Sequence, residues 1–396
     1  MVRTDSSAAV RRACLPLDDS VKANRVTSCD GKCRLLYLVG QLGAGGLERQ
    51  LCYLLQTINR ERYKPEVVIW SFCDDDAFLP HLRKLGIPLH LFSNGSSPIE
   101  KLLQFRRIVR RVRPEVIHSY SFYTNFAAWW ASFGTKTIPI GSSRSDFLLD
   151  KKDSGPLLGR LSARWPRKQI FNSFAAAETA QHSRTFFVPR EHSVVRNGLD
   201  LERFGGVPLS SRASLCIVGV GSLMPYKRWD RLLEAAQTLK TSGFDFQIRI
   251  AGNGPLRESL EHQAEMLNIA DRVEFLGYID DIAGLLAEAD VLAHTSDIEG
   301  CPNAVMEAMA CGRAVVAMGA GDIPLLVEDG KTGFVVRRGD VASLVDCIMH
   351  LAADRELCQS MGKAGRVKAE QEFDLKRLTQ ETLDAYRASG WNDRSL

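Results

Sequence analysis

A chain of 396 residues, 45% hydrophobic and 25% charged, has ordinary globular composition and exceeds what one hydrophobic core supports, so two domains are expected. Its 51 basic and 47 acidic residues leave a net charge of +4, too small an excess to point to nucleic acid. No run approaches the roughly 20 apolar residues that a membrane span needs, and Arg3, Arg11 and Arg12 are not followed by the apolar stretch of a signal peptide.

Residues 1–31 are polar, have little to bury and read as a flexible extension. From Cys33 onward, short apolar runs alternate with amphipathic stretches, the pattern of parallel α/β layers. Strands are expected over 34–39, 66–70, 88–91, 116–118 and 137–140, with helices over 47–58 and 102–112 between them. The 105–113 stretch is basic on one side and apolar on the other. It reads as a solvated surface helix whose apolar side joins the core, or as a face that meets anionic lipid. The acidic tip Asp74-Asp75-Asp76 reads as a solvated loop rather than a metal site.

After a segment rich in Gly, Pro and Ser, the pattern restarts at Leu215, with strands expected over 215–221, 246–251, 273–275, 291–294 and 314–317. The expected fold is therefore α/β, two Rossmann-like doubly wound domains over residues 32–205 and 206–372 facing a cleft. A closing helix and tail over 373–396 could pack on either domain. The ten cysteines are scattered. Cys29 and Cys33 approach a metal spacing, but no second pair or histidine completes a set, so neither metal nor cofactor is expected and reduced thiols suit a cytoplasmic protein.

The most informative segment runs from Glu299 through Gly300, Cys301, Pro302 and Asn303 to Glu307 and Gly312. Pro302 suits the first turn of a helix, and Cys311-Gly312 suits its end. Free amides around Asn303 would then face the cleft with partial positive charge, a cradle for a diphosphate. Glu299 precedes the helix and Glu307 lies more than a turn inside it, so the two carboxylates can touch different parts of one extended ligand. A capped helix with solvated glutamates is the competing reading.

This segment resembles the E-x7-E motif of the retaining glycosyltransferases of family 4, which have the GT-B fold. Further motifs carry the resemblance across most of residues 33–372: Gly43-Ala44-Gly45-Gly46-Leu47-Glu48, Asn172-Ser173, Asn197-Gly198-Leu199-Asp200, Gly219-Val220-Gly221-Ser222-Leu223 with Lys227, Gly252-Asn253-Gly254-Pro255, and Gly277-Tyr278. The resemblance implies that a sugar passes from a nucleotide-diphosphate donor to an acceptor hydroxyl with retention, as in polysaccharide or glycolipid synthesis by a hexosyltransferase. Glu299 would meet the donor sugar, Glu307 the ribose, the backbone from Gly300 through Cys301 and Pro302 to Asn303 the diphosphate, and Lys227 the charge developing on the leaving group. The Gly221-Ser222 turn borders the phosphates, while Gly252, Asn253, Gly254 and Tyr278 would border the base. Gly45 and Gly46 would let the opposing backbone come close.

Three positions depart from the family pattern. Ser222 stands where an arginine is common, with either Arg144 of the first domain as a candidate substitute or the charge left to Lys227 and the helix. In Gly319-Ala320-Gly321-Asp322 an expected acid is displaced or absent. His118 matches the first of a histidine pair whose second member is here Tyr120; it is expected either to touch sugar or acceptor or to be a satisfied strand-end histidine. The implied partners are a nucleotide-sugar donor and a saccharide or lipid-linked acceptor, with peripheral contact at the inner face of an anionic membrane. A nicotinamide dehydrogenase fails on spacing, because the third glycine after Gly219-Val220-Gly221 is missing. A sugar-nucleotide binder without transferase activity and an epimerase of the same fold remain as alternatives.

Overall fold

The computed structural model describes residues 31–92, 95–205 and 214–393. The extension expected over 1–31 therefore falls outside the described residues apart from Gly31, as does most of the expected boundary segment.

Seven strands form the first sheet: β1 (Cys33–Val39), β2 (Tyr63–Ile69), β3 (Leu89–Leu91), β4 (Val116–Ser119), β5 (Ile138–Ser143), β6 (Lys168–Phe171) and β7 (Glu191–Val194). Six more form the second: β8 (Leu215–Val220), β9 (Phe246–Ala251), β10 (Val273–Gly277), β11 (Val291–His294), β12 (Ala314–Met318) and β13 (Gly333–Val336). Their orders are β3-β2-β1-β4-β5-β6-β7 and β10-β9-β8-β11-β12-β13, with parallel pairing throughout. Both are the doubly wound order, in which the chain leaves the first strand of a unit toward one edge and returns to the other side of it. Each sheet has one such reversal, between β1 and β4 and between β8 and β11, and the loops leaving those strands splay apart into a crevice.

Central strands are apolar without alternation because helices cover both faces: Leu35 to Val39 and Ile217 to Val218 are all buried. The three strands not expected from sequence, β6, β7 and β13, are only four residues each, and β7 (Glu-His-Ser-Val) is largely polar and half-buried at the sheet edge. The basic helix begins at Pro98, four residues before the expected start. A capping box supplies the reason: Ser97 accepts from the Glu100 amide while the Glu100 carboxylate accepts from the Ser97 amide. Phe105, Val109 and Val112 carry its apolar side into the core.

The closing helix, Leu375–Ala388, packs on the first domain. Leu375, Leu378, Leu383, Tyr386 and Trp391 join the cluster formed by Tyr37, Leu51 and Leu55. The preceding helix, Arg355–Glu372, stays with the second domain, where Cys358, Met361 and Ala369 are buried.

Candidate active-site cleft

The two sets of strand-end loops face one another across a cavity of about 1090 Å³. Its second-domain wall is built first from glycines. A Cβ on Gly252, whose φ is +149°, would overlap the Gly221 carbonyl oxygen, and one on Gly254 would lie 2.5 Å from the Leu223 carbonyl oxygen. The loops after β8 and β9 therefore interlock backbone to backbone, reinforced by the Gly221 and Leu223 amides donating to Ala251 and Asn253. Gly221, Ser222, Gly252 and Asn253 line the cavity, whereas Gly254 serves the interlock. Tyr278 stands 55% exposed at the mouth.

Lys227 ends a short 3-10 turn, Pro225–Lys227. Its carbonyl accepts from Thr295 Oγ1 and that of Tyr226 from Ser296 Oγ, which ties the turn to the loop after β11. Lys227 Nζ lies 2.5 Å from Glu299 Oε1, and His294 Nε2 lies 2.9 Å from the same oxygen. Burial alone would raise the Glu299 carboxyl, but the charges and hydrogen bonds of Lys227 and His294 overcome it and hold the group down at about 2. The adjacent Arg228 is spent elsewhere, on Asp230 and Asp297.

The helix after this loop is Asn303–Ala310, so Pro302 is the residue before its first turn rather than within it, and no side chain caps its amides. Those amides are available to an anion in the cleft, which Gly300, Cys301, Pro302 and Asn303 line. Cys301 itself is buried, and burial pushes its thiol up to about 12, so it acts by packing. Gly300 is held against Asn172, whose Oδ1 would sit 2.8 Å from an added Cβ. Glu307, 1% exposed, lies inside the helix with Arg49 Nη2 of the first domain 2.5 Å from its Oε1.

From the first domain, Gly45 and Gly46 open the helix Gly46–Thr57. Gly46 meets the second domain directly: an added Cβ would lie 2.6 Å from Asn303 Nδ2. Gln50 Nε2 donates to the Gly198 carbonyl and to Asn303 Oδ1, and Asn197 Nδ2 donates to the Cys301 carbonyl and Asn303 Oδ1. The two domains thus meet along a seam through Asn303.

Glu299, Lys227, Glu307, Ser222, Tyr278 and Arg144 come together in this cleft. His118 does not line it. The ring is 1% exposed, with Nδ1 2.7 Å from the Tyr386 hydroxyl and Nε2 2.8 Å from Ser142 Oγ, and burial with the nearby Arg144 charge depresses its pKa so that it stays neutral. This is the arrangement of a satisfied strand-end histidine. Arg144 lies over the Tyr120 ring, its Cζ 4.0 Å from the centroid. Asp322 faces the other domain: its carboxylate accepts from the Phe174 and Ala175 amides, both at 2.9 Å, at the first turn of the helix Phe174–His182. Cleft residues not singled out from sequence include His294, Arg49, Lys84 and Arg203. His294 ends β11 as a polar residue closing an apolar run, a readable signal; Arg49 reads as ordinary helix surface, and nothing in sequence pairs it with a residue so distant.

Two family models match the chain, Glycosyltransferase Family 4 over residues 44–203 and Glycosyl transferases group 1 over residues 210–368. A putative colanic acid biosynthesis glycosyltransferase of Escherichia coli is 33% identical over 211 residues, covering 50% of this chain and 52% of that protein. A GDP-mannose-dependent phosphatidylinositol monomannoside mannosyltransferase of Mycolicibacterium smegmatis is 30% identical over 223 residues, covering 52% of this chain and 55% of that protein. The chain spans about half the length of the curated relatives it matches. Among solved structures, Anabaena HepE in complex with UDP-glucose superposes with a TM-score of 0.76 at 21% identity, covering 90% of this chain and 99% of that one, and so shares the fold.

Proposed function

Because the chain belongs to the glycosyltransferases that these two family models describe, we propose that it transfers a sugar from a nucleotide-diphosphate donor to an acceptor hydroxyl with retention of configuration. The observation that carries this reading is the convergence of Glu299, Lys227 and Glu307 around the uncapped start of the helix Asn303–Ala310 in one cleft. The diphosphate takes the amide N–H groups of Gly300, Cys301 and Asn303 and the ammonium of Lys227. The ribose diol donates to Glu307, the donor sugar hydroxyls donate to Glu299, and the base lies between Gly252-Asn253 and Tyr278.

In the transfer, the bond from the sugar C1 to the diphosphate oxygen breaks as the acceptor oxygen bonds to C1 on the same face. Negative charge grows on the departing diphosphate, where Lys227 and the helix amides stabilise it more than in the ground state. The acceptor proton passes to a phosphate oxygen, so no side chain has to act as base. That assignment agrees with a neutral, doubly hydrogen-bonded His118 lying off the cleft wall. Before the donor arrives, Lys227 neutralises Glu299; the incoming phosphates draw the ammonium away and leave the carboxylate free to accept from sugar hydroxyls.

Thermal-shift screening with UDP-, GDP- and ADP-sugars tests the reading. A donor at 100 times its dissociation constant stabilises by about 2.7 kcal/mol. Release of nucleoside diphosphate that is lost in Lys227→Ala and Glu307→Ala supports the transferase. Tight binding without turnover on any acceptor favours a binding protein, and no shift with any nucleotide sugar overturns both. A peripheral membrane contact is the second part of the proposal. On the helix Pro98–Val112, exposed Ile99 and Leu103 share a face with exposed Arg107 and Arg110, and exposed Phe133 lies beside the helix, its carbonyl accepting from Arg106. Co-sedimentation with vesicles containing anionic lipid, weakened in Ile99→Ser and Arg107→Glu, is the expected result; equal partition to neutral vesicles refutes it.

A further inference from the structure

The cleft wall of the first domain has one sign of charge. Arg49, Lys84, Arg144 and Arg203 line it, and among the described residues no aspartate or glutamate of that domain does. The carboxylates lining the cleft, Asp280, Glu299 and Glu307, belong to the second domain, and Glu299 and Glu307 already face Lys227 and Arg49. Two of the four cations on the first-domain wall are engaged: Arg49 meets Glu307, and Arg203 donates to the Asp280 carbonyl at 2.6 Å. Arg144 is not. Its three guanidinium nitrogens are shielded from solvent and have no hydrogen-bond acceptor among the described residues. The charge rests on the face of the Tyr120 ring and acts on that residue's hydroxyl.

A shielded, unpaired guanidinium is costly, and such a group is ordinarily completed by an anion. The carboxyls near it do not serve. Asp150 accepts from Ser143 Oγ at 2.7 Å and from the Arg144 backbone amide, and burial pushes its carboxyl up to about 7. Glu48 lies behind the Gly45 turn, and burial likewise pushes it up to about 7. Arg144 is one of the residues that line the cavity, so its side chain stands at the cleft wall.

We propose that the acceptor carries an anionic group, a carboxylate or a phosphate, and that Arg144 receives it while the other cations of the first-domain wall attract it. The inference rests on the transferase reading and names the acceptor class of the same cleft. A planar fork with five donors matches either anion in two-point contact. It also assigns Arg144 to the acceptor rather than to the donor diphosphate, for which Lys227 and the helix amides suffice.

The test is calorimetric titration of the UDP-saturated protein with glucuronate, glucose 1-phosphate and glucose. The two anions are expected to bind at least about tenfold more tightly than glucose, and Arg144→Met to erase that preference while melting within a few degrees of the parent. The stronger of the two anions identifies carboxylate or phosphate. Arg144→Lys retains part of the preference, because it keeps the charge and loses the fork. Equal binding of glucose, absence of any anion binding, or an unchanged preference in Arg144→Met overturns the proposal. So does a tenfold loss of UDP affinity in Arg144→Met, which would return the guanidinium to the donor. Failure of the parent protein to bind UDP, GDP or ADP at all would instead overturn the transferase reading.

Discussion

Removing the guanidinium of Arg49 offers a direct measure of how the two walls of the cleft hold together. Glu307 is 1% exposed, and Arg49 Nη2, from a side chain that is 21% exposed, is 2.5 Å from its carboxylate. Stripping one partner from a buried pair costs about 3–5 kcal/mol, because the remaining charge is left without compensation. Partial exposure of Arg49 and rehydration of Glu307 by slight opening of the cleft favour the lower end, about 3 kcal/mol. For a domain of this size each kcal/mol moves the melting temperature by roughly 2–4 °C. Arg49→Met is therefore expected to melt several degrees lower without ligand. The informative assay is a double-mutant cycle with Glu307→Gln, run with and without saturating UDP. If a ribose diol replaces Arg49 on Glu307, the coupling seen in the empty protein vanishes once UDP is bound. Coupling that persists unchanged with UDP bound would show that the pair is permanent and that Glu307 does not serve the ribose.

Asp322→Ala leaves two helix-start amides without an acceptor across the domain seam; at about 1.5 kcal/mol or more for each bond to a charged group, a loss of about 3 kcal/mol should appear in urea unfolding. Gly252→Ala cannot be accommodated against the Gly221 carbonyl, so loss of UDP binding is expected even where far-UV circular dichroism is retained. Glu299 titrates lower in the folded protein, at about 2, than in an unfolded chain, at about 4.3. Its contribution to stability is therefore complete above the unfolded value and is lost as pH falls toward 2. A Glu299→Gln variant should show a flatter decline of stability between roughly pH 4.5 and 2, and identical acid limbs would count against the Lys227 and His294 contacts.

Sequence and structure part company in particular places. The central strands were legible because Leu35 to Val39 and Leu292 to Ala293 are buried on both faces and must be apolar. The edge strand Glu191–Val194 was not, because half-exposed positions tolerate Glu, His and Ser and leave no apolar run. The cleft segment from Glu299 to Glu307 was legible through its proline, glycine and spacing, all of which report local backbone. What that segment touches was not. The partner of Glu307 comes from the opposite domain, and periodicity describes a helix's faces without saying what meets them. The same limit hid the destination of the last helix and the turn of Asp322 away from the cleft.

That last helix has a consequence for how the protein is made. Tyr386 holds His118 through its hydroxyl, and Leu378 and Trp391 fill the same core as β1. On the ribosome, where chains emerge at about 5–20 residues per second, the second domain can fold as soon as its own strands and helices are out. The first domain, though synthesised earlier, waits for residues from the far end of the chain to complete its interior. Until then a groove beside the helix Gly46–Thr57 stands open, a surface that a chaperone has reason to cover.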